Sequence, residues 1–330
     1  MVAVQTGGSK RPFFFLHGDF LKGAYYCFPL ASHLGPDQPL YALEPYQFDA
    51  LRMPPTLEVM AAAHLESLRS IQPAGPYLLG GFCNGGLLVY EMARQLHAQG
   101  ETVDLLISID PNLIGHRRLT RRIVNRFGKL MRLDQDKQLY WFIWLRHLHR
   151  YLQHAYRYLR FPRYRKVKTE LDGVRADQNG MVILTLQNEY ELWLHQGAER
   201  LGSDEQKGPE RKGNGAGFTL PSLKDLFPEA LFPTVEALWH DWEGLFFWAM
   251  SEYKPGSYPG KSTFFFTKDK QEHGEDVEWR KVAEAENKEV EVHLLVGGHD
   301  TCKTIHLDDL AEHLRTCLNK VQAAEPARRR

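Results

Sequence analysis

The most reactive arrangement in this sequence centres on Cys83. The run Tyr77-Leu78-Leu79-Gly80-Gly81-Phe82-Cys83-Asn84-Gly85-Gly86 places one nucleophilic side chain between glycines. An apolar run that ends in glycines and continues with apolar residues at helical spacing predicts a strand that turns sharply into a helix. Free amides at the start of that helix favour a thiolate and an oxyanion. The alternative is a glycine-rich turn that carries a buried, inert cysteine.

The spacing of the glycines has a steric reason. A residue at the tip of such a turn adopts a strained backbone conformation, and the residues two positions away must lack side chains so that strand and helix can approach each other. In this sequence those residues are Gly81 and Gly85. The turn is therefore a candidate nucleophile site, and the case for catalysis depends on an acid and a base elsewhere in the chain.

A candidate base and two candidate acids follow later strands. His299 lies in Gly297-Gly298-His299-Asp300, after a segment that alternates like a strand. Asp110 ends the apolar run 105–109, and Asp269 follows another apolar run, 262–267. Nucleophile, acid and base then occur in the chain order of α/β-hydrolases. The generic fold does not choose between Asp110 and Asp269, and an Asp before a Pro is also a common start of a loop.

The oxyanion hole has candidate donors in two places. In α/β-hydrolases one donor is the backbone N–H after the nucleophile, and the other comes from a loop after an early strand. The first rule assigns Asn84, and the second assigns Phe20 or Asp19, which follow the strand-like residues 13–16. The alternative for that second loop is an ordinary His-Gly turn.

Strands that alternate with helices position these residues. The predicted strands are 13–16, 40–42, 77–82, 103–109, 262–267 and 289–296, and the predicted helices are 25–34, 57–71, 87–99 and 307–318. Such alternation on short connections indicates a mostly parallel sheet covered by helices on both faces. Active sites of these sheets lie at the carboxyl ends of the strands. The expected fold class is therefore α/β, with an α/β-hydrolase fold and a large helical lid insertion.

Composition excludes several classes of protein. The chain has 330 residues, with 41 basic and 41 acidic side chains, so net charge gives no indication of a partner. Four scattered cysteines indicate neither a disulfide framework nor structural zinc, and we expect no metal site. No signal-peptide core and no apolar run of about 18 residues occurs, which predicts a cytoplasmic protein without membrane insertion.

The sequence also resembles a known family, the thioesterase domains that release products from polyketide and nonribosomal peptide synthetases. Taken together, the matching residues are specific although each is weak alone. They are Leu16-His17-Gly18, residues 71–86, Glu91-Met92-Ala93, Ile109-Asp110, Tyr253-Lys254-Pro255-Gly256-Ser257-Tyr258-Pro259-Gly260, Trp279 and Gly297-Gly298-His299. The resemblance covers roughly residues 10–110 and 250–320.

The resemblance implies a function for the site. It selects Asp110 over Asp269 as the acid of a Cys83, Asp110 and His299 triad. It implies an acyl group carried on the phosphopantetheine of an acyl or peptidyl carrier protein, with no cofactor bound to the enzyme itself. Release by hydrolysis, lactone formation or transfer to an alcohol or amine is expected. Most members have Ser at the turn, and a minority resemble this chain in using Cys.

A basic segment distinguishes the long insertion. Residues 117–168 contain 16 Lys or Arg against two Asp, with interleaved aromatic residues. This surplus suits an acidic carrier protein. Nucleic acid, an anionic membrane surface and a simple solvated face are the alternatives, of which we expect no nucleic acid. Charges and glycines at about 199–217 predict a mobile loop.

The predicted domain organisation has five parts. A flexible N-terminus (1–11) precedes the first part of the core (12–114). A helical, basic lid insertion (115–250) separates it from the second part (251–320), and a flexible tail (321–330) follows. Two other functions stay open: a dienelactone-hydrolase-like cysteine hydrolase of small esters, and a non-catalytic scaffold that binds an acidic partner through the lid.

Overall fold

A computed structural model gives the arrangement of most of the chain. It describes residues 1–18, 23–48, 53–112, 117–160, 240–272, 274–284 and 289–323. The chain divides into a first unit, residues 1–139 and 241–330, and a second unit, residues 140–240. Asp19, Phe20 and the predicted mobile loop at 199–217 lie outside the described residues.

A seven-stranded sheet forms the centre of the first unit. Its order is β1-β3-β2-β4-β5-β6-β7, and every pair is parallel except β1 with β3. The strands are β1 Val2–Gln5, β2 Phe13–Leu16, β3 Leu40–Leu43, β4 Tyr77–Phe82, β5 Val103–Ile109, β6 Ser262–Thr267 and β7 Val290–Leu295. Parallel pairing brings the carboxyl ends of β4, β5, β6 and β7 to one edge of the sheet.

Nine helices accompany the sheet in the described residues. They are α1 Cys27–Leu34, α2 Leu57–Arg69, α3 Asn84–Ala98, α4 Arg118–Leu130, α5 Gln135–Arg160, α6 Trp242–Met250, α7 Lys268–Glu272, α8 Glu275–Glu284 and α9 Leu307–Ala323. Of these, only α5 extends into the second unit, from residue 140 onward.

Alternating side chains of β6 show that helices cover both faces of the sheet. Phe265 belongs to a buried cluster with residues of α1 and α9. Its neighbour Phe264 faces the other way, because successive strand residues point to opposite faces. Phe264 contacts Trp279 of α8, whose ring in turn contacts Tyr90 of α3. The mostly parallel sheet with helices on both faces is therefore confirmed.

Two predicted boundaries in the first part of the core need correction, one at the N-terminus and one at the start of α3. Residues 2–5, within the segment predicted to be flexible, form β1 and pair with β3. The alternating Val2 and Val4 pack partly buried against the core, which gives this edge strand its place. The helix predicted to begin at Leu87 begins at Asn84, because the glycines there allow the first turn to lie close to the sheet.

The predicted insertion and tail differ from the structure in their limits. The described parts of the segment predicted as a lid, residues 115–250, include α4 and α6, which belong to the first unit, whereas the second unit begins at residue 140. At the other end, α9 continues through Ala323, three residues into the predicted tail. Whether the second unit acts as a lid stays a prediction.

The 253–260 segment is fastened to α3 by a buried polar cluster. Tyr253 donates a hydrogen bond of 2.6 Å to Glu91, and Arg94 pairs with the same carboxylate at 2.6 Å. Arg94 also donates to the carbonyl of Ser257, and Tyr90 donates to that of Gly256. The buried Glu91 thus has the partners that a buried charge requires.

Candidate active site

Cys83 lies at a strained turn between β4 and α3. Its backbone angles are φ 55° and ψ −116°, which a non-glycine residue rarely adopts. The neighbouring glycines are required by close contact. A Cβ atom at Gly81 would lie 2.3 Å from the carbonyl oxygen of Gly85, and one at Gly85 would lie 2.0 Å from that of Leu16. The structure therefore contains the sharp strand–turn–helix that the sequence predicts.

Asp110 follows β5 and is fully buried. Its Oδ1 accepts hydrogen bonds of 2.9 Å from both the backbone N–H and the hydroxyl of Thr267, at the end of β6. Its Oδ2 pairs with Nδ1 of His299. These three contacts hold the carboxylate in one orientation toward the imidazole.

His299 lies in the loop after β7. A turn organises this loop, since Gly298 donates its N–H to the hydroxyl of Thr301 at 2.7 Å. The imidazole ring packs on the ring of Phe82, with 4.8 Å between the centroids. One side of the imidazole pairs with Asp110, and its other partner is the thiol of Cys83. The structure thus brings together the three predicted triad residues.

The electrostatic surroundings favour an ion pair of Cys83 and His299. Burial would raise the pKa of the Cys83 thiol, but the charge and hydrogen bond of His299, with Lys270 and Lys303, lower that pKa below its usual 9.0. Burial would likewise lower the pKa of His299. The Cys83 thiolate and the hydrogen bond to Asp110 instead raise the pKa of His299 to about 10. A thiolate beside an imidazolium is the reactive form of a cysteine nucleophile.

The carboxylate of Asp110 stays charged in the same way. Burial would raise its pKa, but His299 and Lys270, together with the N–H of Thr267, hold the pKa of Asp110 below 3.8. A negative carboxylate behind the imidazole fixes its tautomer and stabilises its positive charge.

Asn112 also contacts the nucleophile, and sequence reasoning missed it. The thiol of Cys83 lies 3.7 Å from Oδ1 of Asn112. The carboxamide of Asn112 donates to the side chain of Asn84, which in turn donates to the carbonyl of Gly18 at 3.4 Å. These contacts link the loops after β2, β4 and β5. An Asn two positions beyond a candidate acid carries no signal of its own in a sequence.

The oxyanion donors are described only in part. Asn84 is the first residue of α3, where backbone N–H groups have no partner within the helix. Gly18 lies against this turn so closely that a Cβ atom there would be 2.1 Å from the carbonyl of Phe82. Because Asp19 and Phe20 lie outside the described residues, the second donor stays a prediction.

Asp269 belongs to the short helix α7, after β6, while the partner of the His299 imidazole is Asp110. Among the residues that the structure describes, no cluster of three or more His, Cys, Asp or Glu is arranged to hold a metal ion. Within the same residues, no helix has both the length and the apolar character needed to cross a bilayer.

A family model matches the part of the chain around the turn, and curated relatives match a third or more of the chain. Residues 16–137 match the model described as a thioesterase domain. The chain is 38% identical to a dimodular nonribosomal peptide synthase of Bacillus subtilis (strain 168) over 112 residues, and this match covers 33% of the chain. It is 42% identical to a non-reducing polyketide synthase of Nectria sp over 146 residues, and this match covers 41% of the chain. These matches span only 5% and 7% of the two relatives' lengths.

A solved structure has the same fold. The chain superposes on part of a four-domain nonribosomal peptide synthetase with a TM-score of 0.50 and 19% sequence identity, over 96% of this chain and 20% of that one. At this identity the likeness shows the fold alone, and it agrees with the predicted α/β-hydrolase fold. The match to the thioesterase-domain model covers less than half of the chain. The chain therefore has an α/β-hydrolase fold, and its residues 16–137 are similar to a thioesterase domain.

Proposed function

We propose that this protein takes an acyl group from a phosphopantetheine thioester onto Cys83 and then releases it, in the biosynthesis of a natural product. The observation that carries the proposal is the connected series of side chains from Cys83 to His299 to Asp110 at one edge of the sheet. The same order of groups performs acyl transfer in other nucleophile–base–acid triads.

The first half-reaction forms the acyl-enzyme. The Cys83 thiolate attacks the thioester carbonyl carbon, and the carbonyl oxygen becomes an oxyanion next to the N–H of Asn84. As the tetrahedral intermediate collapses, the bond from carbon to the pantetheine sulfur breaks. His299 gives its proton to that sulfur, so that a neutral pantetheine thiol leaves and a thioester on Cys83 remains.

The second half-reaction releases the acyl group. Neutral His299 accepts a proton from water, an alcohol or an amine as this acceptor attacks the acyl carbonyl. Collapse of the second tetrahedral intermediate breaks the bond to Cys83 and restores the thiolate beside the imidazolium. Asp110 stays ionised throughout and keeps the imidazole oriented between the sulfur and the acceptor.

The sulfur bears on which product forms. Exchange of one thioester for another is nearly isoenergetic, so an acyl group on Cys83 keeps activation that an ester on serine would lose. Formation of a lactone or an amide then stays downhill. We accordingly include cyclisation or transfer among the release modes, and exclusive formation of free acid from the natural substrate, whatever acceptors are supplied, would contradict this part of the proposal.

The proposed carrier partner has a candidate surface on α4. Four apolar side chains, spaced by four, four and three residues, are exposed on one side of this helix, Leu119, Ile123, Phe127 and Leu130. The exposed Arg122, Arg126 and Lys129 form a basic row next to them. An apolar row beside a basic row is complementary to a helix with an apolar face and acidic edge, as an acidic carrier protein would present.

Intact-protein mass spectrometry after incubation with an acyl-pantetheine tests the central claim. We expect a mass increase equal to the acyl group, on a peptide containing Cys83, and its absence in Cys83→Ala. The unaltered chain must also consume the substrate. Turnover of small free esters without any reaction of acyl-pantetheine would favour the dienelactone-hydrolase-like alternative. If the protein reacts neither with small free esters nor with acyl-pantetheine, the non-catalytic scaffold is favoured.

A charge reversal on α4 tests the partner. We expect Arg122→Glu with Arg126→Glu to lower kcat/KM for a carrier-bound acyl group roughly tenfold or more, with kcat/KM for acyl-pantetheine unchanged. Lys320→Glu, an exposed position on α9, is the matched control. Equal losses for both substrates, or equal losses in the control, would place the docking surface elsewhere.

A further inference from the structure

Three consecutive carbonyls of the loop after β5 are held by side chains of the segment after β6. Lys270 donates from Nζ to the carbonyl oxygens of Asp110 and Pro111, at 3.0 and 2.9 Å. Trp279 donates from Nε1 to the carbonyl oxygen of Asn112, at 2.9 Å. We call this set of hydrogen bonds the carbonyl clamp. It joins two segments that lie more than 150 residues apart in the chain.

The clamped loop carries two groups of the candidate site. The Asp110 carboxylate contacts His299, and the Asn112 carboxamide contacts the thiol of Cys83. The backbone of Asp110 has a φ of 46°, a region that non-glycine residues rarely adopt. Such a conformation persists only where surrounding contacts determine it. A loop with this strain requires external hydrogen bonds, and the clamp supplies three of them.

The two clamp residues are held by contacts of their own. Trp279 is fully buried, and its ring contacts Phe264 of β6 and Tyr90 of α3. The Lys270 side chain is 12% exposed, and its ammonium lies 3.4 Å from the carboxylate of Glu275. Lys270 therefore holds its position through two carbonyls and one carboxylate, and it brings a positive charge to the edge of the site.

We propose that Lys270 and Trp279 are positioning residues, which fix the loop 110–112 so that Asp110 and Asn112 meet His299 and Cys83 in reactive geometry. This inference rests on the proposed function for its consequence on turnover. The lysine acts in addition through its charge, which lowers the pKa values of both Cys83 and Asp110. Loss of the charge and loss of the hydrogen bonds are therefore separable effects.

The first test replaces Lys270 and measures the pH dependence of alkylation of Cys83 by iodoacetamide. We expect Lys270→Met to move the midpoint of this profile to higher pH, and to lower kcat with acyl-pantetheine roughly 10- to 100-fold with little change in KM. Lys270→Arg should return the midpoint toward that of the unaltered protein, because the charge is restored. Lys268→Met, on the same short helix but 79% exposed, is the matched control.

The second test removes one hydrogen bond while keeping a buried ring. Trp279→Phe lacks the N–H that reaches Asn112, so we expect kcat to fall while the midpoint of the alkylation profile changes less than in Lys270→Met. An unchanged midpoint and kcat in Lys270→Met, or the same changes in Lys268→Met, would overturn the proposal. Should Lys270→Met fail to fold, an unchanged kcat in Trp279→Phe would overturn it equally.

These readouts separate the clamp from the proposed function. Alkylation reports on the Cys83 thiolate and needs no acyl substrate. If the unaltered protein forms no acyl adduct, the thioesterase mechanism fails, while a shifted alkylation midpoint in Trp279→Phe, which keeps the charge of Lys270, still supports the clamp. If the adduct forms and neither the midpoint nor kcat responds to Lys270→Met, the clamp fails alone.

Discussion

Cys83 and Cys27 have opposite acid–base behaviour although both lie in buried surroundings near the same cation. Burial raises the pKa of the Cys27 thiol to about 12, and Lys303 opposes this only weakly. At Cys83 burial also acts to raise the pKa, and Lys303 again opposes it, yet the result is a pKa below 9.0. The difference lies in His299, which contacts Cys83, whereas Cys27 packs in the apolar cluster of α1 and α9.

Comparison of the two cysteines shows which group lowers the pKa of a buried thiol in this protein. Burial and a nearby lysine are common to both cysteines, so neither suffices. The imidazole supplies a hydrogen bond and a charge, and Asp110 behind it keeps that charge in place. A third buried cysteine, Cys317, agrees, since burial raises its pKa to about 11.

Removal of each thiol is expected to give the largest contrast. Cys83→Ala should abolish both the acyl adduct and turnover, because Cys83 is the thiol that interacts with the imidazole of His299. Cys27→Ala should retain the adduct, with a loss of stability from the small cavity that it leaves. Intact-protein mass spectrometry and kcat measure the two outcomes. An acyl adduct of equal yield in Cys83→Ala would remove the basis of the comparison.

Removal of the imidazole should make Cys83 resemble Cys27. In His299→Ala the effect of burial is left largely unopposed, so the pKa of Cys83 rises and the thiolate fraction at pH 7 falls. Alkylation by iodoacetamide at pH 7 should slow by roughly tenfold for each unit by which the pKa rises. His306→Ala, in the nearby turn before α9, is the control. Unchanged alkylation in His299→Ala would mean that another group makes the thiolate.

Neutralising the acid should give a smaller change than removing the base. Asp110→Asn keeps the shape of the side chain but removes the charge that stabilises the imidazolium, so the pKa of His299 falls and that of Cys83 rises. We expect alkylation at pH 7 to slow about tenfold or less. The high-pH loss of the ion pair, near the His299 pKa of about 10, should also move to lower pH. The pH profile of alkylation measures both shifts, and a profile identical to that of the unaltered protein would contradict the assigned contact.

The smallest expected effect concerns the cation that both thiols share. Lys303→Met should raise the pKa of Cys83 and of Cys27 in the same direction, because the lysine lowers both. Since other contributions are larger at both sites, alkylation of Cys83 at pH 7 should slow only a few-fold. Lys320→Met is the control on α9. An increase in alkylation of either thiol would show that Lys303 acts in another way.

Sequence reasoning succeeded for features that neighbouring residues in the chain determine. The strands 103–109 and 262–267 have the predicted bounds, because uninterrupted apolar runs define buried parallel strands. The turn at Cys83 followed from the glycines on either side. Asp110 could be chosen over Asp269 only through the family resemblance, since both follow strands of the sheet.

Contacts between distant segments could not be predicted. Nothing in the residue types at 112, 270 or 279 indicates that an asparagine would reach the thiol or that a lysine and a tryptophan would hold the acid loop. These pairings depend on the order of strands in the sheet, with β5 beside β6. The edge strand β1 was missed for a similar reason, because four residues near a terminus carry little pattern until β3 is there to pair with them.

The pairing of β5 with β6 has a consequence for how the chain between these two strands can change in length. Ile109 lies beside Phe265, so the chain leaves the sheet and returns to it at neighbouring positions. Closing a longer loop between fixed ends costs only about 0.6 kcal/mol for each doubling of its length. The chain between the loop 110–112 and the segment 253–260 can therefore lengthen, shorten or be exchanged at little cost while the sheet retains its register and Asp110 keeps its place beside His299.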